Sequence, residues 1–323
     1  MRNEKIDSVS NYTSTGMKLL HHTALLNSIK TLKRAMPITL QIAPTSSCNL
    51  KCSFCSNSQR EQHESLNIND LKELLPKLKK VGLKAVEITG GGDPTMYNRL
   101  NTLVKLCIDL GIDVGMITNG ILLREKLLPN NYKKLKWLRI SANALEYVDK
   151  IDIPAGLTGT LGFSLCIHKD INLIETSMRL RDHIDRYKPK YVRVVPDCLP
   201  GDNEDMVRDR AKQYALVNSK IYNGIFFYQD KVFDTPFRCW WNYIKPFLLH
   251  DGWVYPCSSV VLNSGAEGCF HRKFRWVEMA DLPSMYNKTM VPLPTHNCDR
   301  CVFTNQNKAI DLLINRTGME NFI

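Results

Sequence analysis

Cys48, Cys52 and Cys55, spaced C-x3-C-x2-C in the run Cys48-Asn49-Leu50-Lys51-Cys52-Ser53-Phe54-Cys55, are the residues of this chain best suited to chemistry. Three thiolates on one short loop can hold three corners of a 4Fe-4S cube and leave the fourth iron without a protein ligand. An open iron is a place where a small molecule binds and reacts. A cluster that only passes electrons is normally closed by a fourth Cys, and a structural zinc site normally closes with four N or S ligands in two pairs. The spacing alone still leaves zinc or chance open.

Two further signals lie downstream. Gly90-Gly91-Gly92-Asp93-Pro94 follows the β-prone run Lys84 to Thr89, and Thr118-Asn119-Gly120 closes an apolar run from Val114 to Ile117. Glycines at a strand's C-terminal end let backbone come close to a ligand, because no Cβ intervenes and φ > 0 is allowed. The trio in this order resembles the radical S-adenosylmethionine (radical SAM) superfamily. The resemblance implies that Cys48, Cys52 and Cys55 ligate the SAM-cleaving 4Fe-4S cluster, and that Phe54 is the apolar residue before the third Cys. It also implies that Gly90, Gly91, Gly92, Asp93 and Pro94 hold the amino group of SAM, with Asn119 nearby. Asp93 departs from the family pattern, which has the longer Glu there. The polar residues Ser141 and Asn143 close the fourth strand-like run where family members place SAM-ribose or carboxylate contacts. Arg193, in the sixth run, is grouped with them: inside a barrel its charge needs a carboxylate or phosphate partner, and the alternative is that it points outward.

These residues need a scaffold that brings strand ends together. Apolar strand-like runs occur at Ile38 to Ala43, Ala85 to Thr89, Asp113 to Thr118, Trp137 to Ala142, Thr160 to Ile167 and Tyr191 to Val195. Helical periodicity lies between most of them, as in Leu71, Leu74, Leu75 and Leu78. Six βα units in series imply an α/β fold with a parallel sheet and right-handed crossovers, closed as a partial (β/α)6 TIM-type barrel. Ligands gather at the C-terminal ends of such strands, where all three signatures fall. The connection Leu145 to Ala155 is short, so the fourth unit is degenerate. Residues 1–36 read as a polar leader and an amphipathic helix around Met17 to Ala35, residues 37–232 as the barrel, and residues 233–323 as a small α+β domain with a C-terminal helix.

That last region carries Cys239, then Gly252 after twelve residues, Cys257 after four more, and the pair Cys298-Asp299-Arg300-Cys301. Asp251-Gly252 between apolar runs signals a hairpin with a type I′ turn, which would bring Cys257 back beside Cys239. The spacing resembles a SPASM/twitch auxiliary domain cut down to its twitch-like part. That implies a second, auxiliary 4Fe-4S cluster on Cys239, Cys257, Cys298 and Cys301, with a structural zinc on the same four residues as the alternative. Cys107 reads as core, Cys269 as a substitute auxiliary ligand, and Cys198 as either a buried thiol or a hydrogen-atom donor near the sixth strand.

The chain has 323 residues, 44% hydrophobic and 23% charged, which fits an ordinary globular protein rather than a disordered or fibrous one. No run reaches the roughly 18 apolar residues of a membrane span, and no apolar signal segment opens the chain, so a cytoplasmic location is the default. Seven of the eleven Cys fall into cluster-like spacings, which argues for reduced thiolates rather than disulfides. A formal net charge of +11 suits an anionic partner such as a nucleotide or nucleic acid. Lys72, Lys77, Lys79 and Lys80 form a solvated helix face instead. Radical SAM chemistry also implies an electron donor such as flavodoxin or ferredoxin. Three readings of function stand: radical chemistry on a nucleotide, nucleic acid base or small metabolite; radical oxidation or crosslinking of a peptide or protein; and a non-catalytic iron–sulfur or zinc protein.

Overall fold

The computed structural model describes residues 11–57, 63–197, 199, 204–230, 234–262, 270–296, 298, 301–315 and 318. Cys198 and Cys269 lie outside them. The six expected strands form in sequence: β1 (Thr39–Ile42), β2 (Ala85–Ile88), β3 (Asp113–Thr118), β4 (Trp137–Ser141), β5 (Thr160–Ile167) and β6 (Tyr191–Pro196). All pair in parallel with their chain neighbours, so the fold is a mixed α/β one built on the parallel sheet of a partial barrel. A short seventh strand, β7 (Phe226–Tyr228), extends it beyond β6.

Alternation along each strand sorts the side chains to two faces. Leu40, Ile42, Val86, Ile88, Val114, Met116, Leu138, Ile140, Val192 and Val194 are almost wholly buried in one core with the apolar stripes of helices Ile68–Lys80 and Leu100–Asp109. Gln41, Glu87, Arg139, Ser164, Tyr191 and Arg193 point the other way, into the lumen. After β4 there is only a 3-10 turn, Ala142–Glu146, as the degenerate fourth unit requires. The amphipathic stretch near the start divides into a 3-10 helix, Gly16–His21, and an α-helix, Thr23–Leu32. His22, at φ −114° and ψ 61°, breaks the run.

The C-terminal region continues the same sheet. β8 (Phe247–Leu248) pairs in parallel with β1, Gln41 opposite Phe247, and β9 (Trp253–Tyr255) and β10 (Val277–Glu278) follow antiparallel, giving a ten-stranded order β10-β9-β8-β1-β2-β3-β4-β5-β6-β7. The β8–β9 hairpin forms where the sequence places it, but its turn is not type I′. Only Gly252 has positive φ, at 79°. Gly252 N–H donates to Leu249 O at 3.1 Å and Leu249 N–H to Trp253 O at 3.0 Å, a type I turn followed by a left-handed glycine. The Asp251 carboxylate caps it, accepting from Trp253 N at 3.1 Å and Tyr255 OH at 2.8 Å. Among the described residues no helix is long and apolar enough to cross a membrane.

Candidate functional site

The three-Cys loop leaves the C-terminal end of β1 and is fixed from both sides. Leu66 N–H bonds Pro44 O, Ser46 N–H bonds Glu64 O, and a bridge joins Thr45 to Ser65. From the other side Gly92 N–H donates to Thr45 O at 2.8 Å and Asp93 N–H to Ser47 O at 2.9 Å. None of Gly90, Gly91 and Gly92 has a positive φ, so their conformational freedom is not what the site uses. What it uses is the missing Cβ: one added at Gly92 would lie 1.9 Å from Ser47 O, inside the loop's own backbone. One added at Gly91 would meet His250 Cδ2 at 2.9 Å. The glycine stretch therefore lets the strand end pack against the cysteine loop.

Asp93 is buried and its carboxylate is taken up internally. It accepts from Thr95 N (2.9 Å) and Oγ1 (2.6 Å), from Thr118 Oγ1 (2.9 Å) and from Asn119 N (2.7 Å). It thus ties the Gly-Gly-Gly-Asp-Pro and Thr-Asn-Gly signatures together. Asn119 extends the tie to the cysteines: its Nδ2 donates to Asn49 Oδ1 at 2.7 Å and lies 4.0 Å from Cys48 Sγ. The three thiols act on one another. Burial pushes Cys52 up to about 11, with Cys55, Cys48 and Glu146 adding to the rise and a hydrogen bond from Tyr147 opposing it. Burial also raises Cys48, against backbone N–H bonds from Leu50 and Asn49. Three thiols crowded this way resist losing their protons together, and a metal centre is what makes such a set ionise. The donor set and its partial exposure fit a cluster with one open corner.

Around this loop sit residues that sequence reasoning did not join. His168, at the end of β5, stacks on Phe54 with ring centroids 4.6 Å apart and 23° between planes. Its Nε2 meets Glu146 Oε2 at 3.0 Å, and its buried Nδ1 has no partner among the described residues. Asn143 holds Glu146 in place through Nδ2 to Oε1 at 2.8 Å, and spends its remaining polar atoms on the backbone of Cys166. Asn143 thus braces β4, β5 and Glu146 together. Ser141, on the lumen face, keeps accessible surface. Tyr97, which follows the 3-10 turn Pro94–Met96, is buried and donates to Leu66 O. Cys107 is core, as expected.

Deeper in the lumen, Arg193 donates to Ser164 Oγ at 3.2 Å and Gln229 Oε1 at 3.1 Å. Below it Arg139 donates to Tyr191 OH and to Tyr12 O, and Tyr12 stacks on Tyr191 at 4.2 Å. The segment Tyr12–Ser14 so closes the lumen's foot, where Lys245 bridges Ser14 Oγ and Glu87 at 2.8 Å each. The sequence carried no local sign of this plug.

The four C-terminal cysteines are brought together. The thiol of Cys239 is pushed up to about 12 by burial, with Cys301 and Cys298 adding to it, and that of Cys257 is raised by burial, Cys239 and Cys301. Cys239, Cys257 and Cys301 are 9%, 6% and 8% exposed. Backbone N–H groups of Trp241 and Asn242 point at the Cys239 sulfur, those of Ser259 and Val260 at Cys257, and that of Phe303 at Cys301 (3.4 Å). Among the described residues the wholly buried Asn242 amide and the Trp241 Nε1 have no partner. Among the described residues no group of three or more His, Cys, Asp or Glu side chains already stands as a ready single-ion site.

Residues 42–213 match the Radical SAM superfamily, and the chain belongs to that superfamily of enzymes. The family chemistry implies a 4Fe-4S cluster, SAM and a reductant. Among named relatives, an S-adenosylmethionine-dependent nucleotide dehydratase of Lacinutrix mariniflava is 24% identical over 50% of this chain and 38% of its own length. The 7,8-dihydro-6-hydroxymethylpterin dimethyltransferase of Methanocaldococcus jannaschii is 26% identical over 60% of this chain and 36% of its own. The chain thus spans well under half the length of these relatives. In fold it is similar to Streptococcus suis SuiB bound to precursor peptide SuiA, with a TM-score of 0.53 and 16% identity over 83% of this chain and 71% of that one.

Proposed function

We propose that this chain is a radical SAM enzyme acting on a nucleotide, a nucleic acid base or another small metabolite, with a second 4Fe-4S cluster on Cys239, Cys257, Cys298 and Cys301. The observation that carries the reading is the join between the two halves of the site: Asp93 and Asn119 fasten the glycine stretch to the loop of Cys48, Cys52 and Cys55. When bound, the cluster and SAM supply one-electron cleavage of the sulfonium and a 5′-deoxyadenosyl radical that takes a hydrogen atom from the substrate.

The chain's residues do the rest. Cys48, Cys52 and Cys55 hold three irons, and Phe54 packs the loop against His168. Gly90 to Pro94, Asn119 and Ser141 border the place for SAM, with Asp93 setting their shape from within. The lumen, closed at its foot by Tyr12, orients the substrate and keeps bulk water out. The buried thiols of Cys239, Cys257 and Cys301 accept backbone N–H bonds, the arrangement that tunes an iron–sulfur potential, so the auxiliary cluster assists oxidation or substrate binding. The reductant is a one-electron carrier such as flavodoxin or ferredoxin.

The nucleotide or metabolite class is supported by the names of the dehydratase and pterin relatives and by the net charge of +11. A second reading, peptide modification, is favoured by a 33% identical stretch of 95 residues shared with a PqqA peptide cyclase. Iron and sulfide analysis with a 5′-deoxyadenosine assay, on protein reconstituted without oxygen, tests the proposal. About eight irons with 5′-deoxyadenosine released supports both clusters. About four with release removes the auxiliary one, and bound zinc without SAM cleavage overturns the reading.

A further inference from the structure

The lumen carries more positive charge than its protein groups answer. Arg139, Arg193 and Lys245 lie there, and the carboxylate acting on all three is Glu87. Among the described residues that is three cations against one anion. Glu87 is already committed, accepting from Lys245 Nζ at 2.8 Å and Gln41 Nε2 at 2.6 Å. Arg139 is committed as well, to Tyr191 OH, to Tyr12 O and to the faces of Trp137 and Tyr191.

Arg193 is the exception. Its two partners, Ser164 Oγ and Gln229 Oε1, are neutral, and its Nη2 has no partner among the described residues. Its charge is deeply buried, yet the side chain keeps accessible surface, so that surface faces the lumen. Burial and Arg139 together pull it down to about 9. A guanidinium so placed is unfavourable alone and favourable against an oxyanion, which its planar fork grips with two parallel bonds.

We propose that Arg193, with Ser164 beside it, anchors a phosphate-type oxyanion of the substrate. The proposal rests on the lumen being the reaction chamber. It deepens that reading by requiring the substrate to be a phosphorylated molecule. The multiple excess of cations favours a multiply charged phosphate over a single carboxylate. The other source of an oxyanion is SAM's own carboxylate. Arg193 lies three residues before Pro196, the end of β6, or roughly 10 Å along the strand from the rim where the cysteine loop is fastened. That depth suits the far end of a substrate whose reacting carbon is near the rim.

The test is calorimetric titration of the reconstituted protein with inorganic pyrophosphate and, separately, with SAM. Wild type should take pyrophosphate, and Arg193→Gln should weaken it about tenfold or more while SAM affinity stays within about twofold. Gln229→Glu keeps the test independent of any folding defect. It sets a carboxylate where Oε1 now lies 3.1 Å from Arg193 Nη1, so it should abolish pyrophosphate binding while raising the melting temperature. No pyrophosphate binding by wild type, or unchanged binding by both variants, overturns the site. A fall in SAM affinity with Arg193→Gln assigns the oxyanion to SAM and also overturns it. Protein that takes pyrophosphate through Arg193 but binds no SAM would keep this site and sink the proposed function instead.

Discussion

The two cysteine groups of this chain are built on opposite plans. The first sits on an irregular loop at the rim of the parallel sheet, partly exposed, and is held by groups outside itself: the backbone of Gly92 and Asp93, the Asn119 amide and the ring of His168. The second lies between elements of the C-terminal region, with three of its four thiols nearly inaccessible and backbone N–H groups aimed at the sulfurs. A site that must admit a ligand cannot bury itself, so its precision comes from the scaffold behind it. The second group instead gains its order from its own burial and from the backbone N–H groups around it.

The sharpest way to break the comparison is to remove one ligand from each group. Cys52→Ala should leave a two-thiolate loop unable to retain a cube, dropping 5′-deoxyadenosine formation to background. Retained release would remove the loop from the chemistry. Cys257→Ala should cost about four irons and several degrees of melting temperature, since a buried cavity and three orphaned thiols remain. Loss of a single zinc in its place would make the second group structural.

The scaffold behind the first group gives the next effects. Gly92→Ala drives a Cβ to 1.9 Å from Ser47 O, and that contact is backbone on both sides. Relief requires moving the cysteine loop, at about 1–3 kcal/mol, so the SAM dissociation constant should rise about tenfold. Gly91→Ala meets the edge of the His250 ring at 2.9 Å and the Thr45 carbonyl only at 3.3 Å, and should cost less. Equal SAM affinity in all three proteins would mean that the loop's position does not matter. Asp93→Asn turns an acceptor of bonds from Thr95, Thr118 and Asn119 into a group whose NH2 faces donors, costing about 2–4 kcal/mol. Guanidinium unfolding measures it, and a change under about 0.5 kcal/mol would show that the tie is idle.

The legibility of these features in the sequence follows how local they are. The six parallel strands are runs of β-prone residues within one stretch of chain, and they appear within a residue or so of their expected bounds. β7 is three residues long and directly follows a long helix, too short for periodicity to register. The hairpin of β8 and β9 announces itself through Gly252, yet nothing near Phe247 tells that it pairs with Gln41 and prolongs the barrel's sheet. The same limit holds in the site. Cys48, Cys52 and Cys55 are legible because their spacing is itself the chemistry. Asp93 reads as a ligand contact from its motif, and its internal role emerges only when Thr118 and Asn119 arrive from another strand. Arg193 reads as a charge needing a partner, and only the fold shows that the partners it has are neutral.

The smallest effect separates position from polarity at the rim. His168 touches the first group twice, by stacking on Phe54 and by its bond to Glu146, and the two contacts come apart by substitution. His168→Phe keeps a ring for Phe54 and loses the bond, while His168→Ala loses both. An aromatic pair contributes about 0.5–1.5 kcal/mol beyond the area it buries. If the stack holds the loop, His168→Ala should therefore weaken SAM binding by a few-fold and His168→Phe by less. If instead the Glu146 bond is what counts, the two variants should lose equally. Asn143 still donates to Glu146 in both, so the carboxylate is not left bare and the difference reports the ring alone. No loss in either variant would mean that the first group is positioned by its hydrogen bonds to β2 and β3 and owes nothing to His168 across the rim.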